Sequence, residues 1–519
     1  MEEKSVRQQF LQVASNSIFI SSILLLLQVV FWALFYYFIT QKLHGMSFGV
    51  VRFALLVLAA SFIIYVVMRC TNPSYQIAWL ILLSVAPVMA FIMYLVVRLI
   101  PGTAHLAAKV LEKEQLTSLH LVNDEIEQHD ALLYNSKYKG LFQYLSSHCH
   151  FPTYYTRDVT YYAQGEEVLE AMLEDIAQAE SFIFMEYFIL DRGALWDRLF
   201  PLLQKKVTEG VEVRLMYDGL CDVKLPKNFH EYVNETGIQC RVFSPLRPIL
   251  SSYQNNRDHR KMTIIDGKIA YTGGVNLADE YANIKQRFGH WKDCGIRFTG
   301  NAVQSMTAMF LQMWGLGQLH TDAYCHYMAI DEGEKSAYRY IAPYSDAPEN
   351  NHDTAENVYC QILDLAESYV HIMSPYLILD ERTKKSLCFA AQRGVDVKLL
   401  LPHIPDKKIV FYVARSNYIE LMRAGVKIYE YTPGFMHAKV FVSDDIISTV
   451  GSVNLDFRSL FLHFENGVLL YDVETATTIE EDFQETLKMS ECMTIAKYQK
   501  LPLWQRTFGH LAKIFGPLM

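Results

Sequence analysis

The sequence has few of the marks of a metal centre, a disulfide scaffold or a nucleic-acid binder. Its nine cysteines are an odd number, scattered from Cys70 to Cys492, and none forms a C-x-x-C pair or a metal-ligand spacing. That argues against a disulfide framework or a zinc-type site and predicts reduced, mostly buried thiols in a reducing compartment. No metal or other cofactor is expected. Charged residues make up only 20% of the chain and its net charge is −9. Domains that grip nucleic acid are usually basic, so no nucleic-acid partner is expected. No small-residue cleavage site follows the first apolar run, which argues against a removable signal peptide.

Apolar residues, at 51% of 519 positions, are what the chain has in excess. The length predicts two or three domains, and the composition predicts a membrane segment. Crossing a hydrocarbon core of ~30 Å takes about 20 apolar residues. Three runs meet that length: 18–39, without a charge; 49–68, interrupted only by Arg52; and 77–97, with a central Pro87. A buried core helix is the alternative for 49–68 alone. Lys and Arg are slightly richer on the side of Lys42, Arg98, Lys109 and Lys113, which places the following C-terminal portion in the cytoplasm. The expectation is a multi-pass protein of a cell membrane with a cytoplasmic catalytic region.

The remainder is a repeat. AESFIFMEYFIL at 179–190 matches AESYVHIMSPYLIL at 366–379, and GVEVRLMYD at 210–218 matches GVDVKLLLP at 394–402. DHRKMTIIDG at 258–267 matches MHAKVFVSDD at 436–445, and TGGVNLADE at 272–280 matches VGSVNLDFR at 450–458. Conserved order and spacing predict two pseudo-symmetric halves. In the first half, 182–188 and 211–217 read as strands around a helix at 196–208, a βαβ pattern. The Asp266-Gly267 pair predicts a hairpin.

Two His-x-Lys motifs, His259/Lys261 and His437/Lys439, stand at equivalent points of the halves. On a strand, residues two apart face the same side, so each motif offers an imidazole and an ammonium to one cleft. That set suits a phosphodiester. One imidazole attacks phosphorus and the other protonates the leaving alkoxide, with an unperturbed pKa of about 6.5. Such acid–base help is worth on the order of 10²–10⁴ in rate. The two ammonium groups neutralise non-bridging oxygens in place of a metal ion. Asn276 and Asn454 are candidate donors to the same oxygens. Asp266 and Asp444 lie seven residues beyond their His; an odd interval turns them from the cleft, and they read as turn-shaping residues. Glu280 and Glu465 are candidate partners that fix the imidazoles or help bind substrate.

The doubled pattern resembles the phospholipase D superfamily. The strings NNRDHRKMTIIDGKIAYTGGVNLADEY and PGFMHAKVFVSDDIISTVGSVNLDFRSLFLHFENGVLLYD, with the apolar stretch 72–96, resemble bacterial cardiolipin synthases over nearly the whole chain. The resemblance implies an α/β fold. Two phospholipase D-like βαβ-rich halves pack about a shared active site, behind an N-terminal transmembrane helical region. The divisions expected are an anchor over 1–105, halves over 106–325 and 326–495, and an amphipathic segment over 496–519. It implies transfer of a phosphatidyl group between two phosphatidylglycerol molecules, through a phosphatidyl-histidine, giving cardiolipin and glycerol. By position, His259, Lys261 and Asp266 match the first catalytic motif; His437, Lys439 and Asp444 match the second. Analogy favours His259 as nucleophile and His437 as acid, then base. The expected partners are phosphatidylglycerol and membrane lipid, with a homo-oligomer left open. Another phosphatidyl transferase or a phospholipase D-type hydrolase is the competing reading; a nuclease and an inactive scaffold are disfavoured by the acidic charge and the intact motifs.

One departure is visible: His463 stands where family members commonly carry Asn. Three further features are marked. SPLRPILSSYQNNRD, at 244–258, extends the first half before its motif and is a candidate flap. Trp291 and Asp293 belong to a WKD string typical of the family. Trp504, Phe508, Leu511 and Phe515 form one helical stripe, which reads as an interfacial helix or as a helix packed on the protein's own core.

Overall fold

In the computed structural model the described residues are 46–69, 73–85, 136–155, 158–245, 256–316, 324–328, 339–348 and 352–516, with isolated positions elsewhere before residue 136. The chain divides into two compact units. The first comprises 1–102 with 246–254 and 514–518, and the second comprises nearly all the rest.

In the first unit, helices Met46–Arg69 and Pro73–Val85 are described. Val66, Leu83, Ala90 and Tyr94 form a small buried cluster, with Phe62 and Trp79 packed against it. Among the described residues no helix is long and apolar enough to cross a membrane. The expected span 18–39 lies outside the described residues apart from Tyr37, the second coincides with the longer helix, and the third is described only in part. The proposed flap lies largely outside them, over 246–255.

The second unit is built from the repeat. Its first sheet orders strands Val159–Tyr162, Gly295–Thr299, Ile269–Gly273, Lys261–Ile265, Phe182–Tyr187, Glu212–Asp218 and Gln239–Phe243. Its second sheet repeats that order with Tyr340–Asp346, Glu465–Tyr471, Ile447–Gly451, Val440–Ser443, Tyr369–Met373, Asp396–Pro402 and Lys427–Tyr431, adding one strand at each edge. Phe182–Tyr187 is buried throughout, as expected of a parallel strand covered on both faces. Helix Gly165–Gln178 explains the cover: Val168, Leu169, Met172, Leu173 and Ile176 repeat at helical spacing and are buried. Helix Ala194–Thr208 does the same with Leu195, Leu199 and Leu203. Helix Val303–Trp314 is buried along its whole length and packs on strands of both sheets.

The two hairpins that follow the motifs turn at residues in the left-handed region, Asp266 (φ 55°) and Asp444 (φ 53°). Each carboxylate caps the start of the neighbouring strand. Asp266 accepts the backbone N–H groups of Glu180, Ser181 and Phe182 at 2.7–2.9 Å. Asp444 accepts those of Glu367, Ser368 and Tyr369 at 2.8–3.0 Å, plus the Lys137 ammonium at 2.8 Å. Their assignment to the catalytic groups, implied by the motif, is therefore corrected: both are committed to the hairpins.

Asp266→Ala strands three N–H groups and places a Cβ residue without local hydrogen bonding at positive φ, which costs about 1–3 kcal/mol. Asp266→Asn keeps the turn preference. Thermal unfolding in detergent is expected to order wild type above Asn above Ala, with turnover per folded molecule retained in both variants.

Candidate active site

The histidines are not held by the strands that carry their lysines. Strand pairing begins at Lys261 in one half and at Val440 in the other. This corrects the expectation that His and Lys lie on one continuous strand. The histidine segments pair instead with the opposite half. His259 N–H donates to the Phe464 carbonyl at 2.9 Å, and Phe464 N–H donates to that of Arg257 at 2.8 Å. Strand Gly434–Met436 pairs in parallel with His290–Lys292, and His437 N–H donates to the Lys292 carbonyl at 2.7 Å. Gly434 is needed there, because any Cβ would collide with the His290 backbone. The lysines stay beside their histidines: the ammonium groups of Lys261 and Lys439 donate to the carbonyls of His259 and His437.

The side chains follow the same exchange. His259 Nδ1 lies 3.0 Å from Glu465 Oε2 and 2.9 Å from Oε1. His437 Nδ1 lies 2.6 Å from Asp293 Oδ2 and 2.9 Å from Lys439 Nζ. Each imidazole is thus met at Nδ1 by a carboxylate of the other half. This leaves Nε2 to face a reactant, the usual division of labour in oriented imidazoles. Glu465 occupies the place expected of it. Glu280 does not: its neighbour is Arg287, at 3.9 Å, and the carboxylate at His437 is Asp293. The repeat holds the signal that identifies Asp293, since Trp291-Lys-Asp-Cys-Gly295 aligns with His463-Phe-Glu-Asn-Gly467. A carboxylate one methylene shorter needs a closer wall. Gly274 provides it, since a Cβ there would strike the Asp293 carboxylate. At the equivalent place in the second half, Ser452 donates its hydroxyl to Glu465.

His259, His437, Lys261, Lys439, Asp293 and Glu465 are all buried, and their electrostatics follow from that. Burial holds His259 well below its ordinary range and His437 down at about 4; Lys261 and Lys439 oppose protonation of both. Burial also lowers Lys261 to about 7 and Lys439 to about 8. The carboxylates diverge. Burial raises Glu465 well above its usual range, whereas His437 and Lys439 hold Asp293 below its own. His437 therefore faces a carboxylate that its cationic neighbours hold low, which favours an imidazolium, whereas burial pushes the carboxyl of Glu465 up and gives the His259 ring less charge to face.

Asn276 accepts the Ile189 N–H at 2.9 Å through Oδ1, which leaves its buried Nδ2 without a protein partner. Asn454 is buried with Oδ1 unpartnered. His463 is buried, with neither ring nitrogen hydrogen-bonded, 3.7 Å from Glu465 and with its ring 5.3 Å from that of His259. Aromatic rings wall the site: Phe188 stands 4.7 Å from the His259 ring, and Trp291 and Tyr281 stand 5.1 and 5.4 Å from that of His437. Among the described residues, His259, His463 and Glu465 are the group whose donor atoms, within 4.8 Å of one another, suit a metal ion. The Glu465 contact already occupies one of those atoms.

A family model described as "Cardiolipin synthase, PLD-like domain" matches residues 172–314 and 359–487, one segment in each half. The chain belongs to this family. A cardiolipin synthase 2 of Bacillus anthracis is 33% identical over 455 residues, covering 86% of this chain and 87% of the relative. An uncharacterized protein of Streptococcus mutans serotype c is 40% identical over 463 residues, covering 88% and 99%. A crystal structure of phosphatidylserine synthase from Haemophilus influenzae shares the fold, with a TM-score of 0.56, 13% identity and coverage of 74% of this chain and 98% of that one.

In this member of the family, Asp293→Asn keeps the contact to His437 but removes the charge that stabilises its imidazolium. It is expected to lower kcat by about 10- to 100-fold, as loss of an orienting carboxylate does for metal-bound imidazoles. Glu465→Gln alters a carboxyl group that burial already pushes up and keeps an oxygen to accept the His259 Nδ1–H, so it is expected to cost less; comparison of the two kcat values checks the asymmetry. Deprotonation of Lys261 and Lys439 as pH rises through about 7 to 8 is expected to lower kcat/KM. A bound phosphodiester anion raises both lysines, so the kcat profile extends to higher pH than that of kcat/KM.

Proposed function

We propose that this chain is a phosphatidyltransferase that makes cardiolipin and glycerol from two phosphatidylglycerol molecules. The observation that carries the reading is the pair of buried His–Lys sets, each completed by a carboxylate of the opposite half. His259 Nε2 attacks the phosphorus of the first phosphatidylglycerol. The phosphodiester anion, together with Asp293, raises His437 from about 4 and charges its ring; the P–O bond to the terminal glycerol breaks, and that oxygen takes the His437 proton as glycerol leaves. The result is a phosphatidyl-histidine. His437, now neutral, accepts the proton of a hydroxyl on the second phosphatidylglycerol, whose oxygen attacks phosphorus. Cardiolipin leaves and His259 is restored. Lys261 and Lys439 neutralise the non-bridging oxygens, and the Nδ2 of Asn276 is a further donor. Asn454, at the repeat-equivalent position, is assigned to the same oxygens.

The substrate assignment draws on the cardiolipin synthases among the relatives and on the apolar N-terminal quarter. Helix Met46–Arg69 leaves Phe53, Leu58, Ile64 and Met68 exposed, a surface that hydrocarbon would cover. The three runs 18–39, 49–68 and 77–97 are accordingly assigned to membrane spans that keep the enzyme at the bilayer of a bacterial cell, with the catalytic unit on the cytoplasmic side.

Purified protein incubated with phosphatidylglycerol is expected to release glycerol and cardiolipin in equal amounts. Phosphatidic acid without cardiolipin would move the reading to a hydrolase. His259→Ala is expected to abolish both the covalent adduct and turnover, while His437→Ala slows adduct formation; an adduct retained by His259→Ala and lost in His437→Ala reverses the roles. Turnover is expected to continue in a chelator, because two ammonium groups carry the charge stabilisation.

A further inference from the structure

Helix Leu503–Lys513 is amphipathic in an unusual sense: it packs by its small residues and presents its large ones. Gly509 lies against the Tyr412 carbonyl of helix Lys408–Ser416, so closely that a Cβ would collide with it, and Ala512 is buried beside it. The Tyr412 ring meets those of Trp504 and Phe508 edge-on, at 5.5 and 6.1 Å. On the other face Leu503, Trp504, Phe508 and Leu511 are 67%, 58%, 42% and 63% exposed, and Ile409 of the supporting helix adds to the patch. A helix packed on its own core would bury these residues. Here the core contact is made by the opposite face.

The charges around the helix indicate what covers it. From Met493 to Met519 the sequence holds no Asp or Glu, but it holds Lys497, Lys500, Arg506 and Lys513, in a protein whose net charge is −9. Lys497, Lys500 and His510 are exposed. Large apolar side chains on one face, small residues at the packing face and a segment in which every charged residue is a cation form the composition of a helix that lies in the plane of an anionic bilayer surface. Lys497 is held by Glu491 at 2.8 Å and Lys513 has Glu381 and Glu420 as neighbours, so the excess cations that a second copy would bring together are Lys500 and Arg506. We propose that the outer face of Leu503–Lys513 seats in the interfacial layer of an anionic membrane and holds the catalytic unit against the lipid surface from which it draws substrate. This rests on the reading that the substrate is a membrane lipid.

The full chain in nanodiscs of phosphatidylglycerol, one copy per disc, provides the test. The emission of Trp504 is taken as the difference between wild type and Trp504→Phe. It is expected to be quenched by lipids brominated on the acyl chain, shielded from iodide, and less quenched in discs of phosphatidylcholine alone. Phe508→Glu combined with Leu511→Glu is expected to remove the bromolipid quenching and to lower turnover of disc phosphatidylglycerol, but not of a short-chain, water-dispersed form. Full iodide access with no bromolipid quenching overturns the proposal. So does shielding that arises only when two copies share a disc, which would make the face a dimer contact. Cardiolipin synthesis measured on the same discs separates the readings. Cardiolipin made with Trp504 in water removes only the helix assignment, whereas Trp504 in lipid without cardiolipin removes only the reaction.

Discussion

Each imidazole of the site is held at Nδ1 by a carboxylate from the opposite half, and the rest of the catalytic unit is arranged around that exchange. His259 with Glu465 and His437 with Asp293 are backed by reciprocal main-chain bonds, 257–259 with 464 and 434–437 with 290–292. A single half would leave a buried imidazole without an orienting group and a buried carboxylate without a counter-charge, both costly in a low-dielectric interior. The same exchange fixes the register of the halves. A shift of one residue at 434–436 would put a side chain where Gly434 meets the His290 backbone.

The cluster of basic side chains is electrostatically unfavourable by itself. Two ammonium groups and two imidazoles share a buried space; burial depresses Lys261 and Lys439, and the Lys439 ammonium lowers Lys261 further. Below them, Arg260 is fully buried 3.9 Å from Glu186, with its guanidinium donating to the carbonyls of Glu465 and Met309 at 3.3 Å. Its buried acidic neighbours, Glu186 and Asp258, are both pushed up by burial, which weakens them as counter-charges to the site. A monoanionic phosphodiester supplies the missing charge. Its binding restores the protons of the lysines, and the five-coordinate phosphorus of the transition state, with more charge on its equatorial oxygens, gains more than the ground state does.

The architecture was legible because the repeat is. The matched strings from 179 and 366 onward placed the central strands of both sheets, and the hairpin at Asp266-Gly267 placed the motif strands. The turn position of Asp266 before Gly267, and of Asp444 at the matching place, separated the capping aspartates from the site. Strand alternation failed at the histidines themselves, because their partners stand 206 and 144 positions away in sequence, which no local pattern encodes. Asp293 stands out in the sequence only through the WKD string; its role is encoded one block beyond the Asn-Leu strings, where the repeat aligns it with Glu465. The face of Leu503–Lys513 that packs was also unreadable, since Gly509 and Ala512 carry no hydrophobic signal strong enough to compete with Trp504 and Phe508.

The places where the halves differ matter as much as the places where they agree. A duplicated site with strict symmetry would contain two equivalent imidazoles, whereas transfer through a covalent intermediate asks different things of them. One must remain neutral to attack, and the other must gain and lose a proton in each cycle. Asp293 faces Lys439 and His437 and stays ionised; Glu465, held by the Ser452 hydroxyl, is driven towards its protonated form. Trp291 at one position and His463 at its counterpart extend the difference to the walls. A neutral His463 beside His259, with both nitrogens unpartnered, offers hydrogen bonding on the side where the nucleophile works, and Trp291 offers only an apolar face and one N–H, directed to Asp293 at 3.4 Å. The division of labour between nucleophile and acid is thus written in the carboxylates and walls that surround two otherwise identical His–Lys motifs.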